Sequence, residues 1–117
     1  MSKHHIALKN LLDACYGCEC PDLSNIVIVY GKTRNKNLHS VEEAAEKAIN
    51  ALRKKGVILS NVKELAVNLH LPEDILLAQV NLASQYLASN FPNETKIFYG
   101  AVTEKPHIIT AAIAVIK

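Results

Sequence analysis

The last segment of the chain, Ile108 to Ile116, is the feature that most limits what the chain can fold into, because Thr110 is its single polar residue. The run is about half as long as the roughly 18 to 20 apolar residues that a membrane-spanning helix requires. It also lacks the polar alternation of a strand with one wet face. It reads as a strand apolar on both faces and therefore buried. The rest of the chain has the material to bury it. Half of the 117 residues are hydrophobic and the formal net charge is +2, which excludes intrinsic disorder. A chain of this length buries about two-thirds of its unfolded surface in a single core. The expectation is one domain spanning residues 1–117.

Ahead of that strand the clearest signal is helical. From Ser40 to Gly56 the apolar residues Val41, Ala44, Ala45, Ala48, Ile49 and Leu52 fall on one stripe. Ser40 with Glu43 has the form of a capping box, Arg53, Lys54 and Lys55 suit the negative end of the helix dipole, and Gly56 is a stop signal. A second helix is expected from Pro72, whose fixed φ suits a first turn, to Asn90. Its stripe is Ile75, Leu76, Leu82, Ala83, Tyr86 and Leu87, with Gln79 as a polar intruder. A third, shorter amphipathic stretch runs from about His5 to Ala14.

Four segments are rich in β-branched or aromatic residues and bounded by Gly, Pro or Asn: Ile26 to Tyr30, Val62 to Leu69, Lys96 to Val102 and Ile108 to Val115. The first three alternate with the long helices, so crossovers should lay helices on the sheet, with these strands in parallel or mixed order. Thr103-Glu104-Lys105-Pro106 has a length that suits a hairpin, and it predicts that the last two strands pair. The element order is α-β-α-β-α-β-β. The fold class is therefore α+β: a four-stranded mixed sheet covered by two long helices, with a short N-terminal helix.

Glu42-Glu43-Ala44-Ala45-Glu46-Lys47-Ala48-Ile49 resembles the helix that opens the regular part of the C-terminal domain of FtsZ, the bacterial tubulin-like division protein. Leu65-Ala66-Val67-Asn68-Leu69 and Lys96-Ile97-Phe98-Tyr99-Gly100-Ala101-Val102 are similar to two strands of that domain, and Thr110 to Val115 sits where it has its last strand. The similarities keep one order over about residues 7–116. The resemblance implies the same α+β class, shared in outline with the tubulin C-terminal domain and the chorismate-mutase-like small proteins. It also implies a polymer-forming or cell-division context. It does not carry GTPase activity with it. The family's acidic loop, Asn-x-Asp-x-x-Asp, reaches the nucleotide of a neighbouring subunit, and its two aspartates align with His4 and Ala7 here. An alanine cannot polarise water, and an imidazole is no substitute carboxylate. The four glycines are scattered, so no glycine-rich phosphate loop exists in the sequence.

Other residues suggest chemistry by spacing alone. Cys15, Cys18 and Cys20 form C-x-x-C-x-C, a spacing that suits zinc or another soft metal, with Asp13, His4 and His5 a few residues upstream but no obvious fourth ligand. Small, half-buried thiols at a helix-to-strand junction are the plainer reading. Gly31-Lys32-Thr33 has the form of the end of a phosphate-binding loop without its upstream glycine. His70 and His107 titrate in the range useful to a general base, but neither has a nucleophile or acid at a telling spacing. The scattered tyrosines make no platform for stacking bases, so nucleic acid is not an expected partner.

The sequence thus leads to a non-enzymatic, self-associating or protein-binding domain. Its partner would be a second copy or an FtsZ-like or tubulin-like protein, and its interaction residues Lys32, Arg34 and Lys36 with Thr103, Glu104 and Lys105. No catalytic residue and no bound cofactor is expected. Two other readings stand beside it: a small-molecule enzyme or ligand binder with its site at an oligomer interface, and a metal or redox protein using the three cysteines. Neither a signal-peptide core nor a cleavage site follows Met1, and no membrane span is expected, which leads to an expectation of cytoplasmic residence.

Overall fold

The structure, a computed structural model, describes residues 26–34, 37–104 and 108–116, so the expected helix over His5 to Ala14 lies outside the described residues. The elements are β1 (Ile26–Thr33), α1 (Ser40–Lys54), a 3-10 turn (Leu59–Asn61), β2 (Glu64–Pro72), α2 (Leu77–Ser89), β3 (Lys96–Glu104) and β4 (Ile109–Ile116). They form the expected α+β arrangement, with a four-stranded mixed sheet in the order β1-β4-β2-β3. β2 and β3 pair in parallel, Leu65 opposite Ile97 and Leu69 opposite Ala101. β4 runs antiparallel to both β1 and β2.

That order corrects the expected hairpin. β4 does not pair with β3, the strand before it in sequence, but sits between β1 and β2. The cause is its double-sided apolar surface. Paired to β3 alone, β4 would be an edge strand with one flank open. Between β1 and β2 its Ile109, Ala111, Ile113 and Val115 face one side and its Thr110, Ala112 and Ala114 the other, and all seven are buried.

On the helix side, Val41, Ala44, Ala45, Ala48, Ile49 and Leu52 of α1 are all fully buried, as the stripe predicts, and join Val29, Leu65, Val67, Leu69, Ile113, Ala83 and Leu87 in one core. The three alanines bring the helix backbone close to the sheet. The closest approach is at Gly31, where a Cβ would lie 2.6 Å from the Ala48 amide nitrogen and nearer still to the Ala44 carbonyl oxygen. On the other side of the sheet, Ala66, Ala112 and Ala114 are buried with Ile26, Ile28 and Tyr30 beside them.

The helix ends differ from expectation in instructive ways. At the C-terminus of α1, Gly56 adopts φ 81°. Its N–H donates to the Arg53 carbonyl at 3.0 Å, and the Val57 N–H donates to the Leu52 carbonyl at 3.1 Å. This is a Schellman closure, which a left-handed glycine permits. At the N-terminus the cap position is His39, not Ser40, and the expected capping box is absent. The Ser40 hydroxyl accepts the Asn37 N–H at 2.7 Å instead. α2 starts at Leu77, whereas Pro72 closes β2. A residue before proline favours extended backbone, which keeps Leu71 in the strand, and at a strand end the missing proline N–H costs little.

Candidate functional site

Gln79, the polar intruder of the α2 stripe, is buried and structural. Its amide oxygen accepts the Leu76 N–H at 2.9 Å, satisfying one open donor of the helix N-terminus. Its amide nitrogen donates to the Asn37 carbonyl at 2.7 Å, tying the start of α2 to the turn that leads into α1.

The expected interaction residues come into view just beyond that turn. Lys32 and Arg34, at and just past the end of β1, are both exposed. With Thr33, Ile108, Glu43 and Lys47 they line an open hollow of about 410 Å³. Two of these side chains are held. Thr33 is buried and its hydroxyl donates to Glu43 Oε1 at 3.1 Å. Lys47 Nζ stands 3.4 Å from the same oxygen. The Lys47 ammonium also donates to the Lys32 carbonyl at 3.0 Å. Glu43 therefore binds a hydroxyl and an ammonium, and the i,i+4 spacing of Glu43 and Lys47 is the sequence signal by which the pair could have been found. Lys47 was absent from the expected set, because only the docking of α1 onto β1 brings it to the strand end.

Gly31-Lys32-Thr33 forms no phosphate loop. Gly31 pairs with Ala111 and Lys32 with Thr110 in the ladder with β4, so this backbone is strand and not a cradle of converging amides. Gly31 is required for packing and not for phosphate approach.

The second expected cluster does not meet the first. Thr103 is exposed near the end of β3, and Glu104 is the last residue of that strand. β1 and β3 are the two edges of the sheet, three strand spacings or roughly 14 Å apart. Lys36 and Lys105 lie outside the described residues.

His70 is 2% exposed. Its Nε2 is 3.2 Å from the Asn68 side-chain nitrogen. A buried histidine contacted by a neighbouring amide is placed for packing. His107 and the three cysteines Cys15, Cys18 and Cys20 lie outside the described residues. Among the described residues no three His, Cys, Asp or Glu side chains converge on a point that could hold a metal.

At the opposite end of the sheet a hollow of about 510 Å³ is lined by Ser60, Asn61, Lys63, Glu64, Glu94 and Lys96 among others. Its cations and carboxylates are equal in number. Among the described residues no helix is long and apolar enough to cross a membrane.

The outer flank of β3 is the other notable surface. Among the described residues β3 pairs with β2 alone. It carries the half-exposed side chains of Tyr99 and Val102, and Leu76 and Leu77 at the start of α2 are 64% and 75% exposed. Tyr99 leans toward α2, with its hydroxyl 3.5 Å from the Ser84 carbonyl. Partial burial holds its phenol above its ordinary pKa.

No family model matches the sequence, and no curated protein matches it. Solved structures do match. A mutant form of FtsZ from M. jannaschii superposes with a TM-score of 0.68 at 16% identity, covering 97% of this chain and 40% of that one. An FtsZ dimer from M. jannaschii gives a TM-score of 0.68 at 16% identity, over 79% of this chain and 26% of that one. TubZ of Bacillus thuringiensis serovar israelensis, in GDP-form protofilaments, gives 0.61 at 11% identity, over 78% of this chain and 25% of that one. The chain thus spans between a quarter and two-fifths of the length of the proteins it superposes on. Its strand order, helix placement and these superpositions together establish a tubulin/FtsZ-like fold, that of the FtsZ C-terminal domain.

Proposed function

We propose that this chain is a non-enzymatic self-assembly or protein-interaction domain that associates with a second copy or with a tubulin-like polymer. The observation that carries the reading is the outer flank of β3, which among the described residues pairs with no strand. A nine-residue edge strand offers backbone donors and acceptors, with half-exposed Tyr99 on the α2 face and Val102 on the opposite face, and Leu76 and Leu77 at the start of α2 are exposed as well. Natural proteins usually blunt such an edge, and an unblunted one suits addition of another chain. The likeness in fold to proteins solved as a dimer and as protofilaments supports the same reading. The sequence adds that the residues aligned with the family's catalytic aspartates, His4 and Ala7, cannot do their work.

The test is sedimentation velocity of the purified chain over a wide concentration range, with co-sedimentation against assembled FtsZ-type polymer. Reversible association, or retention in the polymer pellet, supports the proposal. A chain that stays monomeric throughout and remains in the supernatant refutes it, and so does GTP turnover by the purified chain.

A further inference from the structure

The outer flank of β3 also carries an inference about which partner it takes, and it rests on the reading of this chain as an interaction domain. β3 is a nine-residue strand, KIFYGAVTE, with charge only at its two ends, Lys96 and Glu104. A charge within the strand is a common guard against pairing, and Ile97 to Thr103 holds none. Among the described side chains of β3, those of Lys96, Tyr99, Ala101, Val102 and Thr103 are exposed.

The direction of the backbone groups limits how another strand can be added. The Lys96 N–H donates to the Lys63 carbonyl at 2.9 Å, so the backbone groups of Lys96 turn toward β2. Alternation along the strand then turns those of Ile97, Tyr99, Ala101 and Thr103 to the outer flank. In an antiparallel pair, residues that exchange hydrogen bonds must both face the seam. When β3 meets β3 of a second copy about a two-fold axis at Gly100, Ile97 falls opposite Thr103 and Tyr99 opposite Ala101, and all of these face it. At the alternate positions, Lys96 falls opposite Glu104, Phe98 opposite Val102, and Gly100 opposite its own copy. These are the non-hydrogen-bonded sites, where Cα atoms come within about 4.5 Å and side chains are closest. Opposite charges and an aromatic against a β-branched residue are favourable cross-strand pairs. The neighbouring registers that keep the hydrogen bonds lose this match. An axis at Tyr99 sets Lys96 against Val102, and an axis at Ala101 sets Glu104 against Phe98.

We propose that β3 pairs with β3 of a second copy, antiparallel and in the register centred on Gly100. The two sheets then form one continuous sheet with the helices of both copies on the same side. The symmetry uses up the β3 edge, so association through it closes at a dimer.

Analytical ultracentrifugation of Lys96→Glu, Glu104→Lys, the double exchange, and a mixture of the two single variants tests the register. The wild-type chain is expected to show a monomer–dimer equilibrium that saturates at the dimer. Each single change sets like charges opposite each other at both ends of the seam and is expected to weaken the dimer by about tenfold. The double exchange restores opposite charges and is expected to fall within about threefold of wild type. In the mixture, a copy with glutamate at positions 96 and 104 meets one with lysine at both, and the heterodimer is expected to form about tenfold more tightly than either homodimer. Lys96→Glu also sets a carboxylate beside Glu64, its neighbour on β2. Mixing leaves that contact within one chain unchanged, so rescue by mixing reports on the seam alone. Single variants that dimerise like wild type, a mixture that associates no better than its components, or growth beyond the dimer would each overturn the proposal. Co-sedimentation with FtsZ-type polymer keeps the two proposals apart. A monomer that enters the polymer pellet, or self-association indifferent to the charge exchange, removes only this one, whereas a monomer that ignores the polymer removes both.

Discussion

Replacing Gly31 by alanine adds one methyl group at the closest approach of α1 to the sheet. Its Cβ would lie 2.6 Å from the Ala48 nitrogen, 3.0 Å from the Lys47 Cβ, and closer again to the Ala44 oxygen. Ordinary contact begins near 3.4 Å, so the helix must withdraw by about 1 Å or more, and two of the three obstructing atoms are backbone that no rotamer change removes. The stripe of α1 is fully buried, so a withdrawn helix leaves a gap along Ala44, Ala48 and Leu52. A gap of 0.5 to 1 Å forfeits roughly a quarter to a half of each contact's attraction. Overpacking of this kind costs about 1 to 3 kcal/mol, and a rigid obstruction belongs at the upper end. The lower entropy of the unfolded alanine chain offsets about 0.4 to 1 kcal/mol. The net expectation is a loss of about 2 kcal/mol or more, seen as a fall in melting temperature of roughly 6 to 12 °C. The assay is thermal and urea unfolding followed by circular dichroism. Gly56→Ala is the internal comparison: it has open space around it but a φ of 81°. Its cost is conformational and about 1 kcal/mol. If Gly31→Ala unfolds at the wild-type midpoint, or costs less than Gly56→Ala, the close approach of α1 to β1 is not as described.

Gln79→Leu strands the Asn37 carbonyl and the Leu76 N–H in a part-buried site, and urea titration should show a loss of about 1 to 3 kcal/mol. Since burial raises the phenol pKa of Tyr99 in the folded chain, the unfolded chain releases that proton first as pH climbs past about 10. Stability therefore falls with rising pH in that range, and Tyr99→Phe should flatten the fall; an unchanged alkaline slope would contradict the burial. Val102→Lys on β3 together with Leu77→Glu at the start of α2 places charge on both exposed apolar surfaces and should abolish association in sedimentation while the melting temperature holds, because both side chains are exposed.

The element identities were legible because their signals are local. The apolar period of α1 predicts all six of its hydrophobic core residues, and Gly56 as its stop is confirmed by two closing hydrogen bonds. The four strands appear where their β-branched runs lie, lengthened by one to three residues at their C-terminal ends. Capping was less legible. Ser40 and Pro72 each satisfy two local rules, and the structure uses Ser40 to accept the Asn37 amide and Pro72 to end a strand. The candidate site was half visible: Lys32 and Arg34 were singled out from sequence, but Lys47 joins them only across the α1 to β1 contact.

Among the described residues, sequence by itself determined which segments are helix and which are strand, because hydrophobic period, turn residues and helix stops act over a few neighbouring positions. It also determined that Ile108 to Ile116 must be buried on both sides. Tertiary structure alone decided which strands lie beside it. A hairpin with β3 closes the shorter loop, but it leaves one flank of the most apolar strand open to water; insertion between β1 and β2 buries Ile109 to Val115 on both faces. That preference belongs to the whole sheet and to no pair of neighbouring residues.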